Sequence, residues 1–155
     1  HGFIGVDDKG DFIRGDGQPI RFWAITTYVQ TKGMDALREH AKFIAKRGVN
    51  MVRYHGNVRD TKGPIESISQ QAREEVWQLV AAMKEEGIYV TYSPYYPHAT
   101  PAGEARPNWG LPRDPAANNL GHLLFFDPKL QNAYKNWLRE TLVPVNPHTG
   151  IPLKD

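Results

Sequence analysis

The chain of 155 residues has no cysteine, which excludes disulfides and thiolate metal sites. That absence suits an exported bacterial protein and a cytosolic one equally, so the compartment stays open. An excess of one charge is missing too. Nineteen Lys and Arg against seventeen Asp and Glu leave a formal charge of +2, and the basic residues are scattered rather than gathered in a stripe. Nothing in that pattern asks for nucleic acid. No apolar run approaches the ~20 residues of a membrane span, and His1 to Asp8 lack the basic and then apolar layout of a signal peptide. Either the chain is cytosolic or its leader is missing.

Several catalytic signatures are absent as well. The first strand-to-helix connection, Thr26 to Lys32, holds no Gly-x-Gly-x-x-Gly, so there is no dinucleotide cradle. Ser93 stands in no Gly-x-Ser-x-Gly elbow, which removes support for serine hydrolysis. The histidines, at positions 1, 40, 55, 98, 122 and 148, show no i, i+4 pairing, and no acidic cluster joins them in a metal-ligand arrangement. Neither a metal nor a cofactor is expected.

What is present is globular material, 40% apolar and 11% aromatic. Asp7-Asp8-Lys9-Gly10 and Asp16-Gly17-Gln18-Pro19 are turn sequences around Phe12-Ile13, so residues 1–20 are expected to form a hairpin that caps the main fold. Residues 21–155 then alternate. Arg21 to Thr26 reads as a buried strand, followed by a helix with Leu37, Ala41, Ile44 and Ala45 on one stripe, ended by Gly48. Val49 to Tyr54 is the second strand. The second helix carries Ala72, Val76, Leu79, Val80 and Met83 inward and stops at Gly87; Ser67 with Gln70 forms one capping box for it, and Ser69 is also placed to cap. Glu74, Glu75, Lys84, Glu85 and Glu86 read as its solvated face. Ile88 to Tyr92 is the third strand. After a long loop, Asp127-Pro128 opens a third helix with Leu130, Tyr134, Trp137, Leu138 and Leu142 inward.

Strands alternating with helices, each helix ended by Gly just before an apolar strand, mean right-handed crossovers and a parallel sheet. The α/β class follows, and without a dinucleotide cradle the (β/α)₈ TIM barrel is preferred to an open sheet. The chain supplies roughly its first three β/α units and ends before a fourth strand. Three parallel strands leave open edges that native proteins avoid. A partial sequence, a cleaved product, or a chain completed by a second polypeptide is therefore expected.

In a barrel, chemistry belongs at the C-terminal ends of the strands. Two places stand out. In Arg53-Tyr54-His55-Gly56-Asn57, strand alternation puts Arg53 and His55 on one face and Val52 and Tyr54 on the other. An arginine at the barrel mouth can bind a carboxylate through its planar fork and keep it ionised; an ordinary ion pair and a carbonyl-bonded histidine fit the same spacing. The second place is the segment from Ser93 to Asp127, far longer than usual for such a loop. It holds Pro94, Pro97, Pro101, Pro107, Pro112 and Pro115 with Tyr95, Tyr96, His98 and Trp109. Prolines let a long loop keep a shape, and tyrosine and tryptophan faces suit the apolar faces of sugar rings. The same aromatics also serve to pack a loop onto a barrel.

Gly17 to Ala24, followed by Ala45-Lys46-Arg47-Gly48-Val49-Asn50-Met51-Val52-Arg53-Tyr54-His55, resembles the start of the cellulase-like glycoside hydrolases of family 5 and their relatives in clan A. Phe125-Phe126-Asp127-Pro128 and the later Asn146-Pro147-His148-Thr149-Gly150 look like bacterial members of that group. The resemblance implies a retaining glycosidase acting on β-linked poly- or oligosaccharides. Its two glutamates, an acid/base in an Asn-Glu pair on the fourth strand and a nucleophile on the seventh, lie outside these residues. Arg53 maps onto the family's nucleophile-supporting arginine, and His55 onto a neighbouring subsite. At the family's histidine after the third strand, the nearest residue here is Tyr95. Carbohydrate-binding positions are then Arg53, His55, Asn57, Tyr95, Tyr96, His98 and Trp109, the partners are a carbohydrate and the rest of the barrel, and a secreted or periplasmic setting is implied. A non-catalytic carbohydrate-binding module and a different barrel enzyme, such as a lyase or aldolase, are the alternatives.

Overall fold

Alternation of apolar strands and amphipathic helices produces, in the computed structural model, a parallel sheet with helices on one face. The structure describes residues 2–29, 33–94, 109–111 and 123–155. The chain opens with a hairpin of β1 (Gly5–Val6) and β2 (Phe12–Ile13), paired antiparallel. The Asp7 carboxylate shapes its turn by accepting from the Lys9 and Asp11 amides, each at 2.9 Å. Then come β3 (Ala24–Thr26), α1 (Met34–Ala45), β4 (Met51–Tyr54), α2 (Gln70–Glu85), β5 (Tyr89–Tyr92) and α3 (Pro128–Leu142).

The sheet runs in the order β3-β4-β5, and both ladders are parallel. Its register stacks Ala24, Met51 and Tyr89 in one row and Thr26, Arg53 and Thr91 in another. Because side chains alternate along a strand, both rows share a face, and Ile25, Val52 and Val90 occupy the opposite one. Val52 has no exposed surface. It packs with Leu37, Ala41 and Ile44 of α1 and Leu79, Ala82 and Met83 of α2. Among the described residues, helices cover that face alone, while Ala24, Thr26, Arg53 and Thr91 remain exposed.

The helix ends follow local chemistry. Gly48 (φ 80°) and Gly87 (φ 70°) take the left-handed conformation directly after α1 and α2. In both places the next amide reaches back five residues: Val49 donates to the Ile44 carbonyl at 3.3 Å and Ile88 to Met83 at 2.9 Å. The N-cap of α2 is Ser69, whose hydroxyl accepts from the Ala72 amide. Ser67 belongs instead to the preceding loop, where its carbonyl accepts from the Asp60 amide. Asp127 caps α3 at 2.8 Å with Pro128 at the first turn.

Two helices bury wider or rotated faces relative to expectation. In α2, Trp77 and Ala81 join Val76, Leu79 and Met83 inside, because neighbours flank the helix on two sides. In α3 the buried line is Leu130, Ala133, Trp137 and Thr141, with Tyr134, Leu138 and Leu142 on its margins. Thr141 is tolerated there since its hydroxyl donates to the Trp137 carbonyl at 2.7 Å.

The hairpin meets the strand starts. Phe12 stacks edge-on to Phe22 at 5.8 Å, and Phe22 does the same to Tyr89, the first residue of β5, at 5.6 Å. The opposite, C-terminal end of the sheet is left to the loops.

Candidate active site

Arg53 lies one residue before the end of the central strand, on the exposed face and in the row of Thr26 and Thr91. Its Nε–H donates to the Ser93 hydroxyl at 3.1 Å, and the Ser93 amide donates to the Tyr54 carbonyl at 2.9 Å. Ser93 thus extends the third strand beside the second and fixes one edge of the guanidinium. That leaves the terminal nitrogens of the planar fork to bind an acidic or hydroxylated group. The sequence suggests no role for Ser93 beyond an absent nucleophile motif. Its pairing with Arg53 follows only from the register of two strands 40 positions apart.

Tyr54 turns the other way, packing against both apolar clusters behind the sheet. Burial above all, with Glu75 and Tyr28 adding to it, raises the pKa of its phenol; burial likewise leads the rise at Tyr92. Both hydroxyls stay protonated in any ordinary buffer. The Tyr54 ring also explains Gly56. A Cβ on residue 56 would stand 2.3 Å from Tyr54 Cε1, so glycine lets the chain turn closely behind the ring. His55 and Asn57 flank that turn, the first half-buried and the second exposed. Asn57 Oδ1 accepts from the Arg59 amide at 3.3 Å and from Arg59 Nε at 3.4 Å.

Arg59 is an unforeseen part of the site wall. It is only 5% exposed, and its guanidinium lies 5.8 Å from the ring centres of both Trp109 and Trp137. Trp109 itself departs from expectation. Instead of offering a face to a sugar, it is 1% exposed and packs 6.2 Å from Trp137. The cause is the area an indole can bury: here it fills a core with Val58, Ile65 and Leu130. From α3, Trp137 Nε1 donates to the Ile65 carbonyl at 3.0 Å, Asn136 to Glu66 at 3.0 Å, and Lys129 to the Trp109 carbonyl at 2.5 Å. One helix thus clamps the loop after β4 and the segment around Trp109 into a single rim. Tyr95, Tyr96 and His98 lie outside the described residues.

On the β3 side, Thr27 is buried, donates its amide to the Arg53 carbonyl at 3.0 Å, and bonds His40 through its hydroxyl. Among the described residues, no three His, Cys, Asp or Glu side chains are arranged to hold a metal, and no helix is long and apolar enough to cross a membrane. A groove of about 480 Å³ between Phe3, Tyr89 and Leu153 opens at the strand starts, the end of the sheet away from Arg53.

Solved structures share the backbone fold of this chain. An exo-β-1,4-mannosidase from Opitutaceae bacterium strain TAV5 aligns with a TM-score of 0.65 at 17% identity, over 96% of this chain and 26% of its own. An endo-β-1,4-mannanase from Thermotoga petrophila gives 0.62 at 16%, over 90% and 33%. An endo-1,4-β-mannanase from Rhizomucor miehei gives 0.70 at 14%, over 99% and 45%. The chain therefore spans less than half the length of each of these proteins. No protein-family model and no curated protein matches the sequence. These likenesses extend to the backbone alone: the chain has the fold of three successive β/α units of a (β/α)₈ TIM barrel, as the sequence led one to expect.

Proposed function

We propose that the chain is the N-terminal part of a retaining glycoside hydrolase that cleaves β-linked poly- or oligosaccharides, with β-1,4-mannan the first substrate to test. The supporting observation is Arg53, a guanidinium fixed by Ser93 at the C-terminal end of the central strand and on the face that a closed barrel turns inward. In this reading residues 1–20 cap the strand starts, and the rest of the barrel supplies both glutamates. Arg53 holds the nucleophilic carboxylate ionised and oriented. That carboxylate attacks the anomeric carbon while the second glutamic acid, about 5 Å away, protonates the leaving oxygen; water then releases the sugar.

His55 and Asn57, on the loop after the second strand, are proposed as sugar contacts, as are Tyr95, Tyr96 and His98 from the sequence reading. Trp109 packs on Trp137 and stiffens that side of the site. Mannan is favoured by the substrates named for the structural neighbours, which cleave β-1,4-mannosidic bonds. The deciding experiment is to incubate the full-length protein with β-mannan, β-glucan and aryl β-glycosides and follow the anomer first released by NMR. Release of the β-anomer from a β-linked substrate supports retention. Release of the α-anomer, or binding without cleavage across the panel, refutes it.

A further inference from the structure

We propose that His40, on the outer helix α1, is a positioning residue for Arg53 and acts through Thr27. His40 Nε2 and Thr27 Oγ1 are 2.7 Å apart, and the Thr27 amide donates to the Arg53 carbonyl at 3.0 Å. The consequence for sugar binding rests on the carbohydrate reading of the Arg53 face; the connection between the residues does not.

β3 has three residues and pairs with β4 only from Ala24 to Thr26. Such a short strand has little to hold its last rung in place. The Thr27 bond continues the ladder by one step, at the level of Arg53. Thr27 is 3% exposed, so a hydroxyl left unmatched there would carry a desolvation cost. His40 removes that cost and fixes the Thr27 side chain to the helix layer. Burial holds the His40 pKa below its ordinary value. The ring is therefore neutral at physiological pH, and a neutral imidazole has one donor and one acceptor nitrogen, so a hydroxyl can match either tautomer. Arg53 is then held from both sides, its peptide by Thr27 and its guanidinium by Ser93.

The test compares the full-length protein with Thr27→Val, Thr27→Ser, His40→Leu, His40→Gln and a control, Ile44→Val, which trims the buried face of α1. The first readout is the Arg53 Nε–H resonance, assigned by its loss in Arg53→Lys; the second is the dissociation constant for mannotriose. Thr27→Val and His40→Leu are expected to shift that resonance, speed its solvent exchange about tenfold, and weaken mannotriose binding by a similar factor, as loss of one buried hydrogen bond implies. Thr27→Ser and His40→Gln should restore most of both, and Ile44→Val should leave the resonance in place. An unmoved resonance in Thr27→Val and His40→Leu, or an equal response in Ile44→Val, overturns the proposal. If the resonance moves as expected but Arg53→Ala binds mannotriose normally, the positioning role stands and the carbohydrate reading falls.

Discussion

Asn146 donates from Nδ2 to the carbonyl of Trp77, 3.0 Å away and 69 positions earlier in the chain, and has no exposed surface. Its Oδ1 accepts from the His148 amide at 2.9 Å, and its own carbonyl accepts from Gly150 at 2.9 Å. The Asn-x-x-Thr-Gly string is therefore a strap that fastens the chain after α3 onto α2. Replacing Asn146 with Ala leaves the Trp77 and His148 groups short of partners. A loss of about 2 kcal/mol is expected, read as a lower denaturation midpoint at unchanged slope. A change below about 0.5 kcal/mol would make the strap dispensable.

The same strap carries a pH dependence. His148 Nε2 lies 2.5 Å from Glu74 Oε1, and Gln78 also donates to that oxygen, so Glu74 is not the free surface carboxylate its helix position suggested. Burial works to raise its pKa, but the hydrogen bonds from His148 and Gln78 prevail and hold it below the ordinary carboxylate range. A depressed carboxylate contributes stability that is present above its ordinary pKa and lost as pH falls through the folded value. Melting temperatures of the wild type and Glu74→Gln should therefore differ near neutrality and converge as the pH falls below the ordinary carboxylate range. Parallel curves across the whole range would contradict this.

Gly56 is set by sterics against one ring. Gly56→Ala brings a methyl into Tyr54 and is expected to destabilise by about 1–3 kcal/mol. In a Tyr54→Ala background the same change should be nearly neutral, since the colliding atoms are gone. An additive double-mutant cycle would show that the ring is not the reason for the glycine.

Trp109 separates a wall from a binding platform. Trp109→Ala is expected to cost about 3–5 kcal/mol through the cavity left beside Trp137. Trp109→Phe should keep most of the stability and all of the affinity for oligosaccharide. Sugar affinity that falls sharply in Trp109→Phe, with the melting temperature unchanged, would return this residue to the sugar face.

The legible parts of this fold are those written in neighbouring residues. Gly48 and Gly87 mark helix ends because only the local backbone decides a left-handed cap. The alternation of Val52 and Arg53 put them on opposite faces, since successive side chains along a strand point opposite ways. The hidden parts depend on residues distant in sequence. Ser69 rather than Ser67 caps α2 because Ser67 is used by the loop, and Thr141 takes an inward place because Trp137 offers it a carbonyl. Ser93, Thr27, His40 and Arg59 carry no motif; their roles come from strands and loops brought side by side. For Trp109 the sequence left packing and sugar contact both open for the same reason, as burial of one ring by another has no signature in either residue alone.

The carbohydrate reading stands most directly on the turnover of Arg53→Ala in the full-length protein with β-mannan at saturating concentration. A residue that stabilises the charge of the nucleophile should cost at least about 100-fold in kcat when removed, with partial recovery in Arg53→Lys. A kcat within a few-fold of wild type would contradict the role assigned to this guanidinium.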